Sequence, residues 1–326
     1  MTDALPRVSV VLPVHNEAEL LPELHRRLGA ALQPQTADYE LVFVNDGSTD
    51  GSLAVLKALR IQDPRVVIIS LSRNFGHQAA LNAGLEHARG SAVVLMDADL
   101  QDPPEIVPHL LSTLERGWDV VYAVRRSRRE FWLKQLAYAA FYRLAAAVSR
   151  PRLPLDAGDF SIVSRRAADL IVALPERTRF LRGLRTWIGL RQTSYSYDRD
   201  KRTAGRSKYS FPALVLLAVN GIITFSHLPL RLASVVGVLC ACASVVGAGV
   251  AVYLRIFTDA FIPGWTSLVI IVFFLGGMQL LALGVLGEYI ARIYDEVKHR
   301  PLYIVDERLG GAAPGVPQPP HAPSTP

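Results

Sequence analysis

Cysteine is nearly absent from this sequence: two occur in 326 residues, Cys240 and Cys242. Both lie in one apolar run. Side chains two apart point to different sides of a helix, which excludes a local disulfide, and no thiolate metal site is expected, so they read as small apolar residues of a helix. No zinc-finger, basic-zipper or RNA-binding signature accompanies the net charge of +6, so the sequence predicts no nucleic-acid partner. The start, Met1–Arg7, is short and polar, and Val8–Val14 leads into His15-Asn16-Glu17 rather than a small-residue cleavage site. That pattern predicts no secretory signal and an N-terminal domain that stays in the cytoplasm. No internal repeat occurs. Charge is missing altogether from Leu232–Leu254 and Trp265–Gly287.

What is present divides near residue 210. The first part alternates short apolar runs with helical patterns. Strands are predicted at Val8–Val14, Tyr39–Val44, Val66–Leu71, Ala92–Met96 and Asp119–Val124, and later at Phe160–Ser164 and Gln192–Tyr197. Between them, Glu19–Ala31 carries Leu20, Leu21, Leu24 and Leu28 on one stripe, and helices are predicted at Ser52–Arg60, Gln78–Ala88, Pro104–Glu115, Arg166–Leu174 and Phe180–Ile188. Glu130–Ser149 reads as a mixed helical stretch rich in aromatics. Such alternation predicts an α/β fold, a Rossmann-like mainly parallel sheet covered by helices. In such sheets ligands sit beyond the carboxyl ends of the strands.

The second part is apolar. Phe211–Gly221 is bounded by Pro212 and Asn220, and residues 211–231 are expected to lie on the bilayer surface as juxtamembrane interfacial helices. Two uncharged stretches of about 23 residues suffice to span a ~30 Å hydrocarbon core, so residues 232–292 are expected to form two transmembrane helices, a hairpin closed by Arg255–Gly264. Lys201, Arg202, Arg206, Lys208 and Arg231 precede the hairpin, and Arg292, Lys298 and Arg300 follow it. The positive-inside bias places both ends in the cytoplasm. Residues 293–326 form the cytoplasmic tail, whose Pro/Ala/Gly-rich end is expected to be disordered. The expected location is the plasma membrane, multi-pass, with the soluble domain, residues 1–210, on the cytoplasmic face.

The polar residues after the strands are the candidates for chemistry. Asp97-Ala98-Asp99 follows Val93-Val94-Leu95-Met96. Carboxylates at i and i+2 converge on a hard cation, Mg²⁺ or Mn²⁺, which then neutralises a departing diphosphate. Alone, D-x-D more often marks a solvated turn; at the carboxyl end of a parallel strand, followed by Gln101 and Pro103-Pro104, it points to a metal site. Asn45-Asp46-Gly47-Ser48-Thr49-Asp50 also follows a strand, and Asp46 is placed to bind a base or ribose edge. Arg73 suits diphosphate, because guanidinium offers paired donors. Of Arg125, Arg126, Arg128 and Arg129, which fall at the same edge, Arg125 is the choice for an acceptor phosphate.

Together, Val11–Glu17, Val44–Asp50 and Asp97–Pro104 resemble the family 2 inverting glycosyltransferases of GT-A fold. Ser72–His77, Asp156–Phe160, the loop Gly205-Arg206-Ser207-Lys208-Tyr209 and the two C-terminal spans are similar to the branch that acts on polyprenyl phosphate, the dolichyl-phosphate mannose synthases and bactoprenol glucosyltransferases. The resemblance implies nucleotide binding by Pro13, Val14, Asn16, Glu17 and Asp46. It implies metal and diphosphate binding by Asp97, Asp99 and Gln101, phosphate contacts from Arg206 and Lys208, and Asp159 as the catalytic carboxylate. Asp156 is the alternative for that role. A phosphate monoester has a second pKa near ~6, so a positioned acceptor oxyanion hardly needs a base, and Asp159 is equally suited to orienting it.

The implied reaction moves a sugar, first choice glucose, from a UDP- or GDP-linked donor to undecaprenyl phosphate for cell-envelope glycosylation. Mannose, N-acetylated hexosamines or an aminoarabinose derivative are the alternatives, as is a membrane nucleotide-sugar-binding protein without turnover. A processive polysaccharide synthase would carry a Q-x-x-R-W acceptor motif and more spans; the Arg185-Thr186-Trp187 run lacks the rest of the motif. No charge marks an ion path through the spans, so flipping the product falls to a separate flippase. Gly276-Gly277 and Gly284–Gly287 permit close helix packing, within a hairpin or in a homo-oligomer.

Overall fold

The computed structural model describes residues 6–125, 157–176, 179–197 and 264–311, together with individual helical positions between 235 and 257. The chain divides into two compact units, one of Met1–Gln135, Pro151–Arg206 and Arg300–Pro326, the other of Leu136–Arg150 and Ser207–His299.

In the first unit eight strands form one sheet: β1 (Val8–Val14), β2 (Tyr39–Asn45), β3 (Val66–Leu71), β4 (Ala92–Leu95), β5 (Val120–Arg125), β6 (Ala157–Ser164), β7 (Gln192–Tyr197) and β8 (Val305–Leu309). Their order is β7-β5-β6-β4-β1-β2-β3-β8. Every residue of β1, β2 and β3 is buried, as expected of strands covered on both faces. Period-two alternation sorts their side chains. Val8, Val10, Leu12 and Val14 meet the leucine stripe Leu21, Leu24, Leu28 and Leu32 of α1 (Leu21–Leu32), with α2 (Ser52–Gln62) and α4 (Val107–Leu114) in the same layer. Val11, Val42 and Val44 face α3 (His77–His87), α5 (Arg165–Ala173) and α6 (Leu181–Trp187) on the other side. Gly84 lets α3 approach closely: a Cβ there would lie 2.1 Å from Val11 Cγ1.

The Rossmann-like, mainly parallel sheet is present, with two antiparallel insertions. β6 runs antiparallel to both neighbours, pairing Leu95 with Ser161. β8 pairs antiparallel with β3, Ile68 opposite Leu309. The sequence pattern predicts no strand in this last segment, yet it is well anchored. Ser72 N donates to Ile304 O at 3.0 Å, Lys57 pairs with Glu307 at 2.6 Å, and the Tyr303 hydroxyl donates to Glu86 on α3.

In the second unit α7 (Gly264–Val297) has 34 residues, a length of about 50 Å, which exceeds the hydrocarbon thickness of a bilayer. Leu268, Ile271, Phe274, Leu280, Leu283 and Ile290 are each more than half exposed. Among the described residues this is the one helix long and apolar enough to cross a membrane. The expected helix Glu130–Ser149, the loop Asp198–Lys208 and the interfacial stretch 211–231 lie outside the described residues, as does most of the first expected span.

Candidate active site

The carboxyl ends of β1, β2 and β4 surround a cleft of about 290 Å³ lined by Pro13, Val14, His15, Glu17, Asp46, His77, Ala80, Asp97, Ala98 and Asp99. Six of these residues are candidates named from sequence: Pro13, Val14, Glu17, Asp46, Asp97 and Asp99.

On the β1–β2 side the two loops are knitted by side-chain to backbone bonds. Asn16, at φ 59°, accepts from Thr49 N at 2.8 Å and Asp50 N at 3.3 Å, and its own N–H donates to Ser48 Oγ at 3.1 Å. Glu17 N donates to Ser52 Oγ at 3.0 Å. The buried Asp46 carboxylate accepts from Phe75 N at 2.7 Å and Gly76 N at 3.0 Å, so it holds the loop after β3 against the end of β2. His15 Nδ1 donates to the Asp46 carbonyl at 2.9 Å. Gly47 has φ +58°, and a Cβ there would meet the Arg73–Asn74 backbone at 2.4 Å, so only glycine fits this crossing. Arg73 lies outside the cleft lining, its guanidinium 4.0 Å from the Phe75 ring centre.

On the β4–β6 side the groups are charged. Because β6 is antiparallel, it contributes its first residues to this edge, and continuing the β4–β6 register by two positions sets Asp159 opposite Asp97. His77, the first residue of α3, stands between them, its Nε2 3.4 Å from Asp97 Oδ1 and 3.6 Å from Asp159 Oδ2. Arg182 of α6 holds Asp159 with a two-pronged grip, Nε to Oδ1 at 2.8 Å and an Nη to Oδ2 at 2.9 Å. Burial alone would raise Asp159, but the Arg182 hydrogen bonds, aided by His77, outweigh it and hold the carboxyl well below the usual range. Asp97 is pushed up to about 6, first by burial and then by the charges of Asp159, Asp99 and Asp102, with His77 pulling the other way. Burial works against a charged His77, yet Asp159 and Asp97 raise it above its ordinary value.

The site fits a hard divalent cation. Asp97 Oδ1 is buried without a hydrogen-bond partner, a polar atom that a cation would satisfy. Asp99 is positioned by Gln101 N, which donates to its Oδ1 at 3.0 Å. Among the described residues no group of three or more His, Cys, Asp and Glu gathers as a metal cage. Two carboxylates completed by substrate phosphates are the usual Mg²⁺ arrangement. Asp156, Arg206 and Lys208 lie outside the described residues, and of Arg125 only the backbone, at the end of β5, is described. His77 and Arg182 carry no role in the sequence analysis. The signal for His77 was its place at the end of the Ser72–His77 motif, while Arg182 sits in a helix with no motif to mark it.

Known proteins identify the family. The sequence pattern of the family described as Glycosyl transferase family 2 matches residues 9–171, from β1 through α5. An uncharacterized glycosyltransferase of Bacillus subtilis, YkcC, is 46% identical, over 93% of this chain and 94% of the relative. The bactoprenol glucosyl transferase of Shigella phage SfV is 41% identical over 92% of this chain and 98% of its own. A mannosyltransferase from Pyrobaculum calidifontis, solved with GDP-Man and Mn²⁺, is 18% identical, with 86% of this chain and 88% of that one covered and a TM-score of 0.45. With the match beginning at the first strand of the cleft and running past Asp97, Asp99 and Asp159, the chain belongs to glycosyl transferase family 2 and is an enzyme of the glycosyltransferase class.

Proposed function

We propose that the protein transfers a sugar from a nucleotide-sugar to a polyprenyl phosphate at the cytoplasmic face of a membrane, with inversion at the anomeric carbon. The observation that carries this reading is the 41% identity to a bactoprenol glucosyl transferase along nearly the full length of both chains, the apolar C-terminal part included. That relative makes undecaprenyl phosphate the first acceptor to test and glucose the first sugar.

In this reading Pro13, Val14, Glu17 and Asp46 receive the nucleotide, with Asn16 bracing the loop. Asp97 and Asp99, with Gln101, hold Mg²⁺ or Mn²⁺. When bound, the cation offsets charge on the departing diphosphate. An oxygen of the acceptor phosphate attacks the anomeric carbon, the bond to the diphosphate oxygen breaks, and the electron pair leaves with the nucleoside diphosphate. The attacking phosphate is largely deprotonated at neutral pH, so the step needs no general base, and the Arg182 grip on Asp159 agrees with a positioning role. Placement and charge neutralisation supply most of the acceleration. Arg125, Arg206 and Lys208 are proposed to approach phosphates, and Asp156 remains the alternative carboxylate. The two apolar stretches anchor the enzyme as a hairpin where the lipid headgroup lies, and a separate flippase moves the product across.

The test is transfer of radiolabelled sugar from a panel of UDP- and GDP-sugars to undecaprenyl phosphate by the full-length detergent-solubilised protein, with Mn²⁺, Mg²⁺ or EDTA. A metal-dependent lipid product from one donor is expected. Absence of lipid product from every donor, with nucleotide binding intact, would contradict the reading.

A further inference from the structure

α6 brings two guanidiniums, Arg182 and Arg185, one turn apart to the start of β6, where the Asp159 carboxylate meets Arg182. Arg182 takes both oxygens of Asp159, at 2.8 and 2.9 Å. Arg185 is 3% exposed; it donates to the Gly158 carbonyl at 3.2 Å, lies 5.6 Å from the Tyr122 ring centre, and its Nε has no partner. Among the described residues no carboxylate forms an ion pair with Arg185. The buried Arg185 guanidinium adds positive charge beside Arg182 and favours an anion at the pair. Of the two, Arg182 is the reachable one: its side chain is 41% exposed, while that of Asp159 is 10% exposed.

The sheet order assigns the anion. From β2 to β6 the edge presents Asp46, then the β1 loop, then Asp97 and Asp99 just after β4, then Asp159 with Arg182. A donor with its base toward Asp46 and its diphosphate at Asp97 leaves the β6 side to the second substrate. A guanidinium fork matches phosphate as it matches carboxylate. Resting on the function proposed above, we infer that Arg182 binds the phosphate group of the acceptor, and that Asp159 is a positioning residue that presents this guanidinium rather than a proton acceptor.

Phosphate also occurs in the donor, so the experiment separates the two sources. In full-length detergent-solubilised enzyme, Arg182→Gln and Arg182→Lys are compared with wild type. The readouts are KM for undecaprenyl phosphate, inhibition by farnesyl phosphate, KM for the nucleotide-sugar, and slow release of sugar to water without acceptor. The expected result is a rise of at least tenfold in acceptor KM and in the farnesyl phosphate inhibition constant, with donor KM and sugar release within about twofold of wild type. Lysine keeps the charge but not the fork, so it should recover only part of the loss; if the glutamine variant fails to fold, the lysine variant alone carries the test. Asp159→Asn should also raise acceptor KM while leaving the shape of the pH–rate profile between pH 6 and 9 unchanged. A rise in donor KM instead would assign the fork to the diphosphate and overturn the inference. A fall in kcat with unchanged acceptor KM would reduce Arg182 to a prop for Asp159 and overturn it too. Wild-type enzyme that makes no lipid product defeats the function reading and this inference together; product with unaltered acceptor KM in both variants defeats this inference alone.

Discussion

The two halves of the active edge are built on opposite principles. The β1–β2 half is satisfied: the side chains of Asn16, Asp46, Ser48 and Ser52 all accept from backbone N–H groups of the adjoining loops. The β4–β6 half is not: Asp97 Oδ1 and Arg185 Nε are buried without hydrogen-bond partners, and His77 Nε2 stands within 3.6 Å of both Asp97 and Asp159. In the proposed function the satisfied loop is the rigid seat for the nucleotide, and the unsatisfied cluster is the part that ligands would complete, as in a site preorganised for charge development.

Substitutions on the two halves should therefore differ in kind. The largest effect is expected at the carboxylates proposed to hold the cation: Asp97→Asn or Asp99→Asn should lower transfer at least about a thousandfold, some 4 kcal/mol of barrier, with little change in melting temperature. Steady-state transfer assays beside thermal unfolding check it, and a large loss of stability would erase the contrast. Asp46→Asn should act the other way round, removing one of two charge-assisted bonds and costing about 2–3 kcal/mol of stability along with a raised donor KM. Smaller again is Asn16→Ala, at about 1–2 kcal/mol, because it loses the bonds its Oδ1 accepts from Thr49 and Asp50 and puts alanine at φ 59°. Asn16→Gly separates these causes, since glycine tolerates the backbone and lacks only the bonds.

The smallest effect on transfer belongs to the far edge of the sheet. Burial alone would raise Asp63, but hydrogen bonds from Arg65 and His25 outweigh it and hold the carboxyl at about 2. A depressed pKa contributes stability that is present above the unfolded value near 3.8 and lost as pH falls through about 2. Asp63→Asn should remove about 1–2 kcal/mol at neutral pH, flatten the acid limb of the stability profile between pH 4 and 2, and leave transfer unchanged. Unfolding followed across pH reads this directly.

Much of this contrast was legible in the sequence. Alternating apolar strands and leucine stripes marked β1 to β7 and α1 to α6 to within a few residues, because each buries a face of regular period. The rule that ligands gather at carboxyl strand ends pointed to Asp46, Asp97 and Asp99, which line the cleft. The same rule, applied to an all-parallel sheet, would have sent the start of β6 to the opposite edge; strand direction is set by pairing partners distant in sequence, and only the antiparallel β4–β6 register brings Asp159 to Asp97. β8 escaped notice because Val305-Asp306-Glu307-Arg308-Leu309 is mostly charged, and its pairing depends on an exposed β3 edge that no local pattern reveals. Arg182 was invisible for a related reason. An arginine on a short helix is ordinary until the fold sets a carboxylate against it.

The most direct measurement follows transfer and nucleotide binding side by side in the full-length enzyme, wild type against Asp97→Asn, using UDP-glucose, undecaprenyl phosphate and Mn²⁺, with UDP affinity measured separately in EDTA. The expected result is UDP affinity within about threefold of wild type in EDTA and transfer reduced at least a thousandfold, binding on one half of the edge and chemistry on the other. Transfer at the wild-type rate in Asp97→Asn, or in EDTA, would contradict the division.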